Sequence, residues 1–156
     1  MGVGQALAAL PPGAWMRSVV WAYPLVETLH IVSLATLFGA MAVVDLRILG
    51  VSKALPLVPL MRHALPVALV AFCMAGATGL MLFLAHADDL IGNRMFVLKI
   101  CLIGAAGTNA AIFHSGRRAN PANWEAVAPW EARLTAGLSL LIWTGVIACG
   151  RWIAYA

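Results

Sequence analysis

Four long apolar runs, separated by short breaks that gather most of the charged residues, set the pattern of this chain. They cover about 18–49, 60–87, 95–114 and 130–155. A helix needs roughly 20 residues to cross a hydrocarbon core. Inside lipid the backbone must satisfy its own hydrogen bonds, so runs of this length predict helices. The expected fold is all-α, an integral membrane four-helix bundle, and a length of 156 residues predicts a single membrane domain over 1–156. Pro24 and Pro66 fall near expected helix starts, where proline costs little. Trp21, Trp124, Trp130, Trp152 and Tyr155 fall near span ends, as an aromatic belt does. The opening stretch MGVGQALAALPPGAWMR breaks at Pro11-Pro12-Gly13 and has no basic side chain before Arg17, unlike a secretory signal. An interfacial segment is expected there.

Composition agrees with that reading. The chain is 63% hydrophobic and 10% charged, against roughly 25% charged in soluble domains. The expected surroundings are a lipid bilayer. The net charge of +4 is then a topology signal, and no nucleic-acid partner is expected. Call the N-terminal side A. Side B carries Arg47, Lys53, Arg62, Arg117, Arg118 and Arg133, whereas side A carries Arg17, Arg94 and Arg151, with Lys99 just inside the third span. The positive-inside rule makes side B cytoplasmic, so both termini are expected in the periplasm of a bacterial inner membrane. The stretches GAMAV, GATG and GAAGTNAA put small residues in three helices. They allow close helix packing and equally suit a homo-oligomer face. Cys73, Cys101 and Cys149 lie in apolar runs without a CxxC or CxxCH pattern, which excludes a zinc motif and covalent haem attachment.

The four histidines sort by depth. His30 and His86 lie toward side A, on the first and second spans, and His63 and His114 toward side B, on the second and third. Haem b held by two neutral imidazoles from facing helices needs such a layout, so one or two haems b are expected. Met81 matches the depth of His30 more closely than His86 does, which makes it an alternative partner. Helix ends are also where a solvated histidine costs little, and His63 and His86 suit that reading.

His30 also belongs to a polar set on side A, with Glu27, His86, Lys99 and Arg151. Ionisable residues in spans are costly and usually face an interior site. Glu27 and His30 are one turn apart on one helix face. A Glu27–Lys99 ion pair would neutralise both. Lys99 or Arg94 could instead meet a haem propionate or an acidic substrate. On side B, Asp45, Arg47, Arg62, Glu131 and Arg133 form a network in which Asp45 and Arg47 could tie helix ends together, and most of it reads as snorkelling surface charges.

The stretches LHIVSLATLFGAMAVVDLRILG, MRHALPVALVAFCMAGATGLMLF and NRMFVLKICLIGAAGTNAAIFH, over about 20–115, resemble an uncharacterised bacterial family of small four-helix membrane proteins. That resemblance carries over His30, Asp45, Arg47, Lys99, Asn109 and His114, and leaves out His63 and His86. Two groups are more distantly similar. The four-helix protoporphyrinogen oxidases, associated with haem b, share an LH opening, an arginine ending the first helix and a lysine in the third, which His30, Arg47 and Lys99 match. The copper-resistance protein D-like domains share the leucine–histidine pair and a small-residue patch.

These observations lead to an expected haem b-binding membrane protein that carries electrons, with a quinone or small oxidant as partner. Glu27 and Lys99 are its candidate catalytic or proton-coupling residues. His30, His114, His63, His86, Met81 and Arg94 are the candidate cofactor contacts, the four histidines being the metal ligands. A porphyrinogen oxidase-like enzyme and a copper or small-solute transporter are the alternatives. The seven methionines are scattered, with no MxxM or HxxM cluster. No nucleotide-binding loop or nucleophile triad is present.

Overall fold

The computed structural model of the chain describes residues 2–115, 124 and 128–156. Two short helices come first, α1 (Val3–Ala8) and α2 (Pro11–Ser18). Four long helices follow, α3 (Ala22–Leu49), α4 (Leu57–Ala85), α6 (Arg94–Ser115) and α7 (Trp130–Trp152), with the short α5 (Ala87–Ile91) after α4 and a 3-10 turn, Ile153–Tyr155, after α7. All four long helices are long and apolar enough to cross a membrane. This is an all-α membrane bundle.

The helix limits have local causes. The first span begins at Ala22 rather than near residue 18, because Val19 is extended (φ −107, ψ 111) and separates α2 from α3. Pro24 sits in the first turn of α3, as expected. Pro66 does not sit near a start: α4 begins at Leu57, which places Pro66 well inside the helix. Its ring removes one backbone donor, so the Arg62 carbonyl loses its helical partner close to the side B surface. Helix α3 ends at Gly50 in the left-handed region (φ 104). The Val51 N–H returns to the Leu46 carbonyl at 2.9 Å, closing a Schellman-type cap.

The long helices pack in a row. α3 lies against α4 on one side and α7 on the other, and α7 lies against α6. No backbone packing joins α4 to α6. The bundle is thus two hairpins, α3–α4 and α6–α7, joined along α3 and α7. Buried alanines line much of the interior, with Ala64, Ala68, Ala71 and Ala75 on α4 and Ala132 and Ala136 on α7. Small side chains let helices approach closely where lipid supplies no hydrophobic driving force.

On side A the gap between α4 and α6 is bridged by side chains. Phe83 and Phe96 stack there with centroids 5.3 Å apart and planes 8° from parallel. The N-terminal helices strap the same end. α2 packs on α4 and α1 on α5. Arg17 holds the strap by donating to the Ala85 carbonyl at 3.1 Å and to the Ala8 carbonyl. It thereby satisfies a backbone acceptor left over at the end of α4. Gly13 lies so close to α4 that a Cβ there would stand 2.5 Å from the Leu84 carbonyl oxygen. Asn93 closes the remaining corner. Its Oδ1 accepts from the Met95 and Phe96 amides at 2.9 and 3.1 Å, capping α6. Its Nδ2 donates to the Ile153 carbonyl at 3.1 Å and ties that cap to the end of α7.

Candidate functional site

On side A the site is built around His30. Its ring reaches from α3 to α4, with Nδ1 3.0 Å from the Thr78 hydroxyl. The Thr78 hydroxyl proton is already given to the Met74 carbonyl, 2.7 Å away on its own helix. A hydroxyl has one proton, so here its oxygen can only accept. These distances favour donation from His30 Nδ1–H to the Thr78 oxygen, with the Ala75 carbonyl as a further acceptor beside the ring, and in that tautomer Nε2 keeps its lone pair. This is the state in which a histidine serves as a metal or haem ligand, its other nitrogen held by a hydrogen bond.

A glycine makes room for the ring. A Cβ at Gly79 would stand 3.0 Å from His30 Cε1. Lys99 has a matching arrangement across the bundle. It is half-buried and lies against Gly150 of α7, where a Cβ would be 3.3 Å from Nζ. Its ammonium lies within coulombic range of the His30 ring. The Glu27–Lys99 ion pair expected from the sequence does not form: Glu27 is exposed on α3, and no carboxylate among the described residues lies within ion-pair distance of Lys99. Three residues along α3 fall short of a full turn by about 60°, enough to leave Glu27 outside while His30 reaches α4. Met81 is half-buried and packs with Met16, Val26 and Ala85, at the same end of the bundle as His30.

The other sequence-selected residues are dispersed. His86 is the break between α4 and α5, its side chain 49% exposed. Its ring meets Tyr23 edge to face at 5.4 Å, and Nδ1 is 4.0 Å from Asp89. Arg94 is exposed at the start of α6. Arg151 is exposed and donates to the Tyr155 hydroxyl at 2.9 Å. Arg47 is used locally: Nε donates to the Leu55 carbonyl at 2.6 Å and Nη2 to the Lys53 carbonyl at 3.0 Å, bracing the turn after α3. His63 is exposed near the side B end of α4. Arg117 and Arg118 lie outside the described residues. Among the described residues, no three His, Cys, Asp or Glu side chains gather as a metal site would require.

On side B lies a cavity of about 370 Å³, lined by α3, α4, α6 and α7. His114 lines it together with Asp45, Asn109 and Ser139. His114 Nδ1 is 2.8 Å from the Ala110 carbonyl, and a carbonyl only accepts, so Nε2 again keeps its lone pair. Asn109 donates to the Thr135 carbonyl at 3.0 Å, joining α6 to α7. Asp45, read from the sequence mainly as a surface charge, is only 4% exposed. The Ser139 hydroxyl is its polar neighbour, and among the described residues Asp45 Oδ2 has no hydrogen-bond partner.

Sequence reasoning passed over Thr78, Gly79, Gly150, Asn93 and Ser139. Of these, Asn93 had a readable signal, an Asn just before an apolar run, where a helix cap belongs. GATG was read only as a packing patch, although its threonine and second glycine are the seat of His30.

A family model described as a family of unknown function, DUF6644, matches residues 18–156. The match takes in all four spans and both sites, and begins after Arg17. No curated protein and no solved structure matches the chain.

Proposed function

The chain belongs to the DUF6644 family, and we propose that it is a haem b-binding membrane protein that carries electrons within the bilayer. One observation carries the reading: His30 is held by Thr78 with Nε2 free, in a recess opened by Gly79. The residues present fit the group. His30 would supply one nitrogen ligand, and Met81, at the same end of the bundle, would be the candidate for a second. Lys99, without a carboxylate partner among the described residues, and Arg94, at the head of the same helix, suit the propionates. Haem b, once bound, supplies one-electron chemistry at a potential set by its ligands and surroundings. The chain's own contribution would be to orient the His30 ring through Thr78, to keep the Lys99 cation within coulombic range of it and to close this end with the Phe83–Phe96 stack and the N-terminal strap.

The basic residues of side B, Arg117 and Arg118 among them, favour a cytoplasmic side B. The His30 site then lies toward the periplasm of a bacterial inner membrane. A porphyrinogen oxidase-like activity is the second reading. It is favoured by the same Lys99, which has no carboxylate partner among the described residues and suits a substrate carboxylate as well as a propionate.

The test is an absorption spectrum of the detergent-purified protein before and after dithionite. The expected result is a Soret band with resolved α and β bands on reduction, lost entirely in His30→Ala and kept in His63→Ala. A protein that stays colourless after expression with added haem precursor overturns the reading. Complementation of a host lacking its own porphyrinogen oxidase tests the second reading.

A further inference from the structure

We propose that the side B cavity binds a membrane-borne hydroquinone, with its two hydroxyls directed to Asp45 and His114. This does not rest on the haem reading, which concerns the opposite end of the bundle. The volume, about 370 Å³, is within the ordinary range of small-molecule sites, roughly 300–1,000 Å³. The walls are mostly apolar and include the rings of Phe72, Phe113 and Trp143. These suit the flat face of an aromatic body.

Asn109, Thr135 and Ser139 also line the cavity, but the buried polar atom of this lining left without a partner among the described residues is an acceptor. Asp45 Oδ2 is buried and has no partner among the described residues, and His114, exposed on α6, keeps a free lone pair on Nε2 because Nδ1 donates to Ala110. A buried carboxylate oxygen without a hydrogen bond is costly. A ligand that brings a donor removes that cost, whereas one that brings only acceptors adds to it. The two acceptors stand on α3 and α6, helices that do not pack against each other. A hydroquinone carries a donor at each end of a rigid ring and can serve both, whereas an amine concentrates its donors at one point. The route of entry has the same origin. α4 and α6 are not packed together, so the cavity's open side faces the lipid, where a long-tailed hydroquinone resides.

The experiment uses the full chain in lipid nanodiscs, titrated anaerobically with a decyl-substituted benzohydroquinone and, separately, with the matching quinone. Binding is followed by calorimetry and by quenching of tryptophan emission. Saturable hydroquinone binding at least tenfold tighter than quinone binding is expected. Asp45→Asn should weaken it at least tenfold, with the haem spectrum unchanged. Gly107→Leu provides a variant that leaves the carboxylate alone. Gly107 lines the cavity and an added Cβ there meets nothing within 4 Å, so the helix tolerates the side chain while the cavity fills. It should abolish binding, and it decides the matter if Asp45→Asn fails to fold. Equal affinity for hydroquinone and quinone, unchanged binding in both variants, or displacement by a lipophilic amine at lower concentration overturns the proposal.

Discussion

The two ends of the bundle are made by the same four helices and finished in opposite ways. On side A the histidine has its hydrogen bond, the lysine has its glycine recess, and a phenylalanine stack with a pair of short helices closes the gap. On side B the gap stays open, and a carboxylate is buried in it with one oxygen unsatisfied. The contrast separates two ways of keeping polar groups inside a membrane bundle. Side A fixes a group in one orientation, which suits a resident cofactor. Side B leaves an unmet hydrogen bond, which suits a ligand that comes and goes.

Substitutions at each end can break that contrast. The largest expected effect is that of Thr78→Val, which removes the acceptor of His30 Nδ1 with little change of shape. Loss of such a supporting partner typically weakens metal binding roughly 10–100-fold. Haem retained per chain after dilution in detergent should fall accordingly, and unchanged retention would mean that the tautomer is not set by Thr78. Next comes Arg17→Ala, which removes the charge-assisted bonds to the Ala85 and Ala8 carbonyls. Bonds of this class contribute about 1.5–3 kcal/mol. Hydrogen exchange should then speed up across α1 and α2, while the long helices keep their protection.

Asp45→Asn should act in the reverse direction on stability. Replacing a buried carboxylate by a neutral amide of the same shape removes the cost of burying its charge. The ligand-free protein should melt at a higher temperature in detergent even as it loses hydroquinone. A lower melting temperature would show that Asp45 holds the bundle together rather than waiting for a ligand. Gly150→Ala is expected to do least. Its Cβ would stand 3.3 Å from Lys99 Nζ, the far end of a flexible side chain, so the lysine can shift at little cost. The melting temperature should move by no more than a degree or two, with a small shift in the haem potential as the readout.

The spans were legible because their signal is length and apolarity, which need no partner. What each residue faces was not. A helix that is apolar on every side shows no inward stripe, and α3 and α4 are of this kind over most of their length. Glu27 and His30 looked like one group from their spacing, yet packing turned His30 to α4 and left Glu27 outside. Asp45 near a helix end looked like a surface charge. It is buried because α7 crosses α3 there and brings Ser139 beside it. Pro66 was placed near a helix start, and α4 begins earlier than its apolar run. Thr78 gains its meaning only from a histidine 48 residues away, and Gly79 from the same ring.

The Arg17 strap also dictates an order of events during synthesis. Arg17 emerges early, yet its carbonyl partner Ala85 lies 68 residues later, at the far end of the second crossing. Until α4 has traversed the bilayer and returned to side A, the guanidinium must stay hydrated at the surface. The short helices can therefore lock only after the first hairpin is inserted. They act as a latch set from the side of arrival rather than as a foundation laid at the start.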